Sequence, residues 1–147
     1  NLDFPLRQAG IRFAKFEIDT TCINSVFDCA ASEHDYPIFR YADILLMKAE
    51  ALLRMNASSG EALSLVNAVR QRSGAAPFGD LSLEKLLDER GRELFFEGWR
   101  RSDLIRFGKF NEAWWEKEAD ADGHVNLFPI PAEAIYANSC LAQNPGY

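Results

Sequence analysis

Apolar and polar positions keep three different rhythms along this chain. Residues 1–37 show no helical periodicity. Ile11, Phe13 and Phe16/Ile18 alternate with Arg12, Lys15 and Glu17, the period-two pattern of one short strand. Residues 19–37 are polar and irregular, and such a lead-in segment leans on other structure. From Ile38 to Asn56 the rhythm is helical. Tyr41, Leu45, Ala49 and Leu52 line one side, and Ala42, Leu46, Ala49 and Leu53 the next. The apolar arc is wide, which predicts a largely buried helix. Pro37 stands just before it, where a missing N–H is harmless. Arg40 with Asp43, and Glu50 with Arg54, have the spacing of pairs along a helix. A second helix is predicted over 60–73. Ser58 and Glu61 form its capping box, Ala62, Leu65, Val66 and Val69 its stripe, and Gly74 its end. A short polar turn between two helices makes them antiparallel. Ala42, Ala49 and Ala62 permit close contact. The pair is a hairpin of tetratricopeptide type, although the consensus is loosely matched and no second copy is visible.

The third rhythm belongs to a long central helix. Ser82 caps it, and Leu81 with Leu86 makes a hydrophobic staple. Asp88 to Phe110 reads as one helix, with Gly98 the place for a kink. Leu83, Leu87, Gly91, Leu94 and Gly98 follow the spacing of one face. Glycine in mid-helix costs about 1 kcal/mol against alanine, and its usual return is close approach by another backbone. Arg90, Glu93, Glu97 and Arg100 follow a second face. Glu93 and Glu97 are like charges one turn apart, a cost that neighbouring arginines reverse. The expectation is a buried ion network of Arg40, Asp43, Arg90, Glu93, Glu97, Arg100, Asp103 and Arg106, in which loss of Arg100 strands carboxylates. Gly108 ends this region. Residues 111–125 make an exposed excursion, Pro131 starts a short helix, and Asn144 to Tyr147 form a turn. The predicted fold is all-α: a tetratricopeptide-like hairpin plus a long central helix, with irregular loops and at most one short strand or hairpin. Two parts are expected, 1–37 and 38–147.

Composition narrows the function. The chain has 147 residues, 48% hydrophobic and 26% charged, as in ordinary globular proteins. A net charge of -6 provides no basic stripe for nucleic acid or an anionic membrane surface. No apolar run approaches the roughly 20 residues of a membrane span. The chain starts at Asn1 with no signal-peptide pattern, and reads as processed or trimmed. Cys22, Cys29 and Cys140 are too few for a disulfide framework. Cys22 and Cys29 can close a small loop in an oxidising compartment; the plainer reading is three unpaired thiols.

Candidate chemistry is sparse. Glu93 and Glu97 have the spacing of an acid/base pair, but arginines around them favour the ionised form and a structural role. Glu118, Asp120, Asp122 and Gly123 resemble part of a calcium loop, yet the twelve-residue ligand pattern is missing. His34 and His124 are isolated, with no zinc spacing near them. Ser32, His34 and Asp35 are close in sequence only, which does not make a triad. No phosphate-binding loop or nucleophile elbow is present. Trp114 and Trp115 are the ligand-binding candidates, since a flat ring can stack on a sugar face; Trp99 reads as core. No catalytic residue, metal or cofactor is expected.

Four motifs carry a family resemblance. They are Phe39-Arg-Tyr-Ala-Asp-Ile-Leu-Leu-Met-Lys-Ala-Glu-Ala51, the run Ala62 to Gly74 with Asn67, Arg70 and Arg72, the run Glu89 to Phe110, and the ending Leu127-Phe-Pro-Ile-Pro131 with Gln143-Asn-Pro-Gly-Tyr147. In this order they resemble the SusD/RagB family of surface nutrient-binding lipoproteins. Two departures stand out: Asn138-Ser139 where Asn-Pro is usual, and Arg101-Ser102 where an aromatic pair is common. The resemblance implies a helical scaffold, an oligosaccharide or related nutrient as ligand, and a SusC-like TonB-dependent transporter as partner. It also implies an outer-membrane, cell-surface location through a lipid anchor upstream of this chain, which corresponds to the family's C-terminal part. Most glycan contacts would then lie outside it. The rival readings are a helical-repeat adaptor that binds a protein in its groove and a small hydrolase using the acidic residues.

Overall fold

The computed structural model describes Lys15 and residues 36–56, 58–114 and 116–147. The strand expected over 11–18, and Cys22, Cys29, His34 and Trp115, lie outside them. The chain divides between Ile38 and Phe39 into two units, and the second holds every described helix.

In that unit α1 spans Tyr41–Met55 and α2 spans Gly60–Arg72. The start of α1 is later than the apolar pattern suggests, because the amides of Asp43 and Ile44 both close on the Arg40 carbonyl. Ser59, not Ser58, caps α2: its Oγ accepts from the Ala62 amide at 3.2 Å. The Ser58 amide is used in the turn, donating to Asn56 Oδ1 at 3.1 Å. The two helices pack antiparallel through Leu46, Ala49, Leu53, Ala62, Val66 and Val69, all buried, with Leu86 of the next helix completing the core. Ala49 and Ala62 are fully buried, so small side chains let the backbones approach.

Gly74 ends α2 at φ 70°, with the Gly74 amide on Gln71 O and the Ala75 amide on Arg70 O, a Schellman motif. The loop that follows is pinned to α2 by side chains. Asn67 gives and takes a hydrogen bond with the Phe78 backbone, at 3.0 and 2.7 Å. Arg70 donates to Ala76 O at 2.8 Å and lies 3.8 Å above the Phe78 ring. Ser82 then caps α3, Leu83–Glu93, by accepting from the Lys85 amide.

The long central helix is two helices. α3 stops at Glu93, a turn occupies residues 94–99, and α4 runs from Arg100 to Arg106. Phe96 has φ 67° and Gly98 φ 80°, a left-handed conformation that a continuous helix cannot contain. The apolar spacing runs on through the break because Leu94, the α3 C-cap, stays buried at 3% exposure. Gly108 then ends α4 as Gly74 ends α2, with Lys109 N on Leu104 O and Gly108 N on Ile105 O.

Past α4 come a single 3-10 turn, His124–Asn126, and α5, Ala132–Ala137. Side chains clasp this tail onto itself. Gln143 exchanges two hydrogen bonds with the Ile130 backbone, at 2.8 and 2.9 Å. Asn144 donates to Phe128 O and Tyr147 Oη to Leu127 O. Among the described residues no strand forms; one isolated bridge joins Trp114 and Lys117. The all-α architecture expected from periodicity is therefore the one observed.

Candidate functional site

Three helix ends meet at the most deeply buried charges. Asp43 lies in the first turn of α1, Asp103 in the first turn of α4, and Arg90 in the last turn of α3. Each sign suits the helix dipole where it sits. Arg90, 1% exposed, donates from Nε to Asp103 Oδ2 at 2.8 Å and from Nη1 to Asp43 Oδ1 at 3.0 Å. Arg106 binds both oxygens of Glu50 at 2.9 Å and reaches Asp103 Oδ1 at 2.7 Å. Arg54 adds a third bond to Glu50. Three carboxylates thus face three guanidinium groups, a locally neutral cluster. Asp43 Oδ2 is buried without a hydrogen-bond partner.

Glu93 and Glu97 belong to a second cluster. Their partner is Arg40, the residue before α1, which bonds both carboxylates and the Glu93 carbonyl. Arg72 also reaches Glu93. Glu89 joins Arg70 and Arg92. Apart from Arg92, one turn along α3 from Glu89, the described partners come from outside α3. Arg100 is the correction: its Nη1 donates to the Leu87 carbonyl at 2.9 Å, and among the described residues no carboxylate meets it. The break before α4 turns Arg100 out of line with the α3 face.

The cluster is built for charge, not proton transfer. Burial alone would raise the Glu50 carboxyl pKa, but hydrogen bonds from Arg106 and Arg54 outweigh it and hold the group below its ordinary value. Glu50 therefore has no proton to deliver at neutral pH, as a general acid must. In the acidic turn, Asp120 pairs with Lys117 and Asp122 with His124, whose hydrogen bond lowers the Asp122 pKa. Among the described residues no three His, Cys, Asp or Glu side chains gather as metal ligands.

Trp114 is 46% exposed, with the Lys117 ammonium 4.4 Å from its ring centre and the Phe110 ring 6.2 Å away. Reciprocal backbone bonds between Trp114 and Lys117, at 3.0 and 2.9 Å, fix the turn that carries it. Trp99 is partly buried and packs against Phe39 at 5.7 Å, between α1 and α4 rather than in the central core. Arg101, one of the departures, lies 5.1 Å from the Phe110 ring centre and 4.0 Å from that of Phe128. It also donates to the carbonyls of Val125 and Asn126, so it anchors the 3-10 turn to α4. Sequence spacing missed the pairs Arg70–Glu89 and Arg72–Glu93 and the role of Arg101 because these partners lie about twenty residues apart; the local Arg92–Glu89 pair it could have given. It placed Glu50 only in a local pair. No helix among the described residues is long and apolar enough to cross a membrane.

The SusD family model matches residues 24–126. The starch-binding protein SusD of Bacteroides thetaiotaomicron is 36% identical, over 77% of this chain and 22% of its own length. A solved SusD superfamily protein from Parabacteroides distasonis superposes with TM-score 0.70 at 30% identity, covering 82% of this chain and 29% of that one. A solved laminarin-binding SusD-like protein gives TM-score 0.64 at 38% identity, over 74% and 22% respectively. The chain thus spans about a quarter of the length of these relatives. With a family model matching from residue 24 to residue 126 and solved relatives sharing its helical fold, this chain belongs to the SusD family.

Proposed function

We propose that this chain is part of a glycan-binding protein that captures oligosaccharide for uptake across an outer membrane, and not part of an enzyme. The observation that carries the reading is the family match, with relatives named for binding starch and laminarin. The arginine-held Glu50 supports the absence of turnover, since an acid/base pair needs one carboxyl kept protonated. The partner would be a SusC-like TonB-dependent transporter. Attachment to the cell surface would be through a lipid anchor on a longer polypeptide. Most sugar contacts would come from that longer polypeptide, and Trp114 and Trp115 are the aromatic contributions proposed from this part. Calorimetry with maltooligosaccharides and laminarin fragments on a protein of the relatives' length tests this. Heat of binding without product release is the expected result. Release of shorter sugars would overturn the non-enzyme reading, and no binding across the panel would overturn the ligand class.

A further inference from the structure

The 3-10 turn His124–Asn126 is the seat of the chain's last turn, and His124 is where the two meet. Its amide and its ring Nδ1 both bond Asp122 Oδ1, at 3.1 and 2.5 Å. Gly146, at φ 95°, presses against the base of the ring. A Cβ there would stand 2.6 Å from His124 Cβ and 2.9 Å from its Cγ, so the approach needs glycine. The Tyr147 ring meets the imidazole edge-on with centres 5.1 Å apart, and Tyr147 Oη donates to Leu127 O at 2.9 Å. The Leu127 amide in turn closes on the His124 carbonyl. A cavity of about 220 Å³ remains between the two turns, with Gly123, His124 and Leu127 on one side and Pro145 and Gly146 on the other.

Both contacts of the ring depend on its charge. An ionised carboxylate only accepts, so Nδ1 must carry a hydrogen to hold Asp122. Imidazolium has a hydrogen on each nitrogen, whereas neutral imidazole has one to place. Protonation therefore makes the Asp122 contact a charge-assisted hydrogen bond, the stronger kind. It also sets positive charge at a distance where an aromatic ring attracts it. The Asp122 carboxyl is held below its ordinary value, first by the His124 side chain and then by the His124 amide, so it stays ionised wherever imidazoles titrate. Among the described residues, those against the ring are Asp122, Gly146 and Tyr147, and its cavity adds Gly123, Leu127 and Pro145. Asp122 is the one charge among them, and Tyr147, the other titratable group, keeps its proton on Leu127 O. The rest of the tail is clasped by amides that do not titrate, Gln143 on Ile130 and Asn144 on Phe128.

We infer that His124 is a pH-operated latch for the chain's last turn, closed on Gly146 and Tyr147 when the imidazole is charged and loosened when it is neutral. The latch is independent of what the protein binds. His124 is partly buried and Asp122 exposed, so solvent screens the pair and limits the effect to a few-fold. The test is NMR on the isotope-labelled chain between about pH 5 and pH 8, the range of imidazole titration, reading cross-relaxation between the His124 and Tyr147 rings. That ring contact should fall about threefold as pH rises, with the same midpoint as the His124 ring signals, while the Gln143 and Asn144 contacts hold. His124→Phe should keep a ring contact and lose its pH dependence. Asp122→Asn should weaken the contact at the acid end to its level at the alkaline end. Gly146→Ala should open the turn at every pH without moving the core signals of Leu46 and Val66. A contact constant across the range would overturn the latch, and so would one that strengthens as pH rises. The same pH dependence in His124→Phe would assign it to other groups and overturn the role of His124. Absence of the contact at every pH would overturn the seat itself.

Discussion

Arg90 and Arg100 look alike in sequence, ten residues apart with glutamates between, yet their surroundings give them opposite weights. Arg90 is buried between two buried aspartates. Arg90→Ala should destabilise by about 3–5 kcal/mol, the cost of stranding buried charge. Arg100→Ala removes one part-buried bond to a carbonyl and strands no carboxylate, so it should cost about 1 kcal/mol. Urea unfolding of the two variants checks the order, and a larger loss for Arg100 would place the critical cation wrongly here. Glu50 supplies a pH test. Its folded pKa is lowered from the ordinary 4.5, so its contribution is complete above that value and is lost as pH falls through the lower, folded value. Glu50→Gln should flatten the stability profile in that acidic window and lower stability at neutral pH. A profile as steep as the parent's would assign the acid sensitivity to other groups. The participants in these clusters were largely legible in the sequence, because charged side chains at helical spacing on an apolar helix demand partners. The pairing was not. Arg40 reaches Glu93 and Glu97 across more than fifty residues, a contact that only the packed hairpin creates.

At the scale of elements, glycine marks two helix ends and hides a third. Gly74 and Gly108 both sit near φ 70°, with open space where a Cβ would stand. Substitution by alanine should therefore cost about 1–2 kcal/mol through backbone strain alone, readable as a drop in the thermal midpoint. No change at either position would mean the turn relaxes out of the left-handed conformation. Both ends could be read from sequence, since each glycine follows the last residue of an apolar stripe. The stop at Glu93 could not. Leu94 remains on the apolar register and a phenylalanine takes the left-handed position, so the residues at the break argued for continuation and only Gly98 pointed to a kink. The loop after α2 was visible through Pro77 and Gly79, but not its attachment by Asn67 and Arg70, which depends on how the loop folds back. The tail motifs told a similar story: each was recognisable alone, and only the structure brings Gln143 onto Ile130.

At the scale of the whole molecule, α1 has more apolar surface than the hairpin uses. Tyr41, Ile44 and Met47 are exposed at 75%, 47% and 37%. Relatives about four times as long have ample polypeptide to cover such a strip. Ile44→Lys is therefore expected to change stability by under about 0.5 kcal/mol in the 147-residue chain. In a protein of the relatives' length it should cost about 2 kcal/mol, the value of burying one such side chain. Equal effects in the two lengths would show that this face stays in water.

The neutral junction of Asp43, Asp103 and Glu50 with Arg90, Arg106 and Arg54 also bears on how such a sequence can change over time. Removing Arg90, Asp43 or Asp103 leaves buried charge uncompensated, while replacing the buried set together with well-packed apolar residues can be nearly neutral. A lineage moving one substitution at a time meets a barrier at each of these positions. The junction is therefore hard to leave, whereas rings and carboxylates at the surface can be exchanged singly. Substitutions that survive should thus gather at the surface and spare the junction, which is why the motif that identifies the family reports architecture and not ligand.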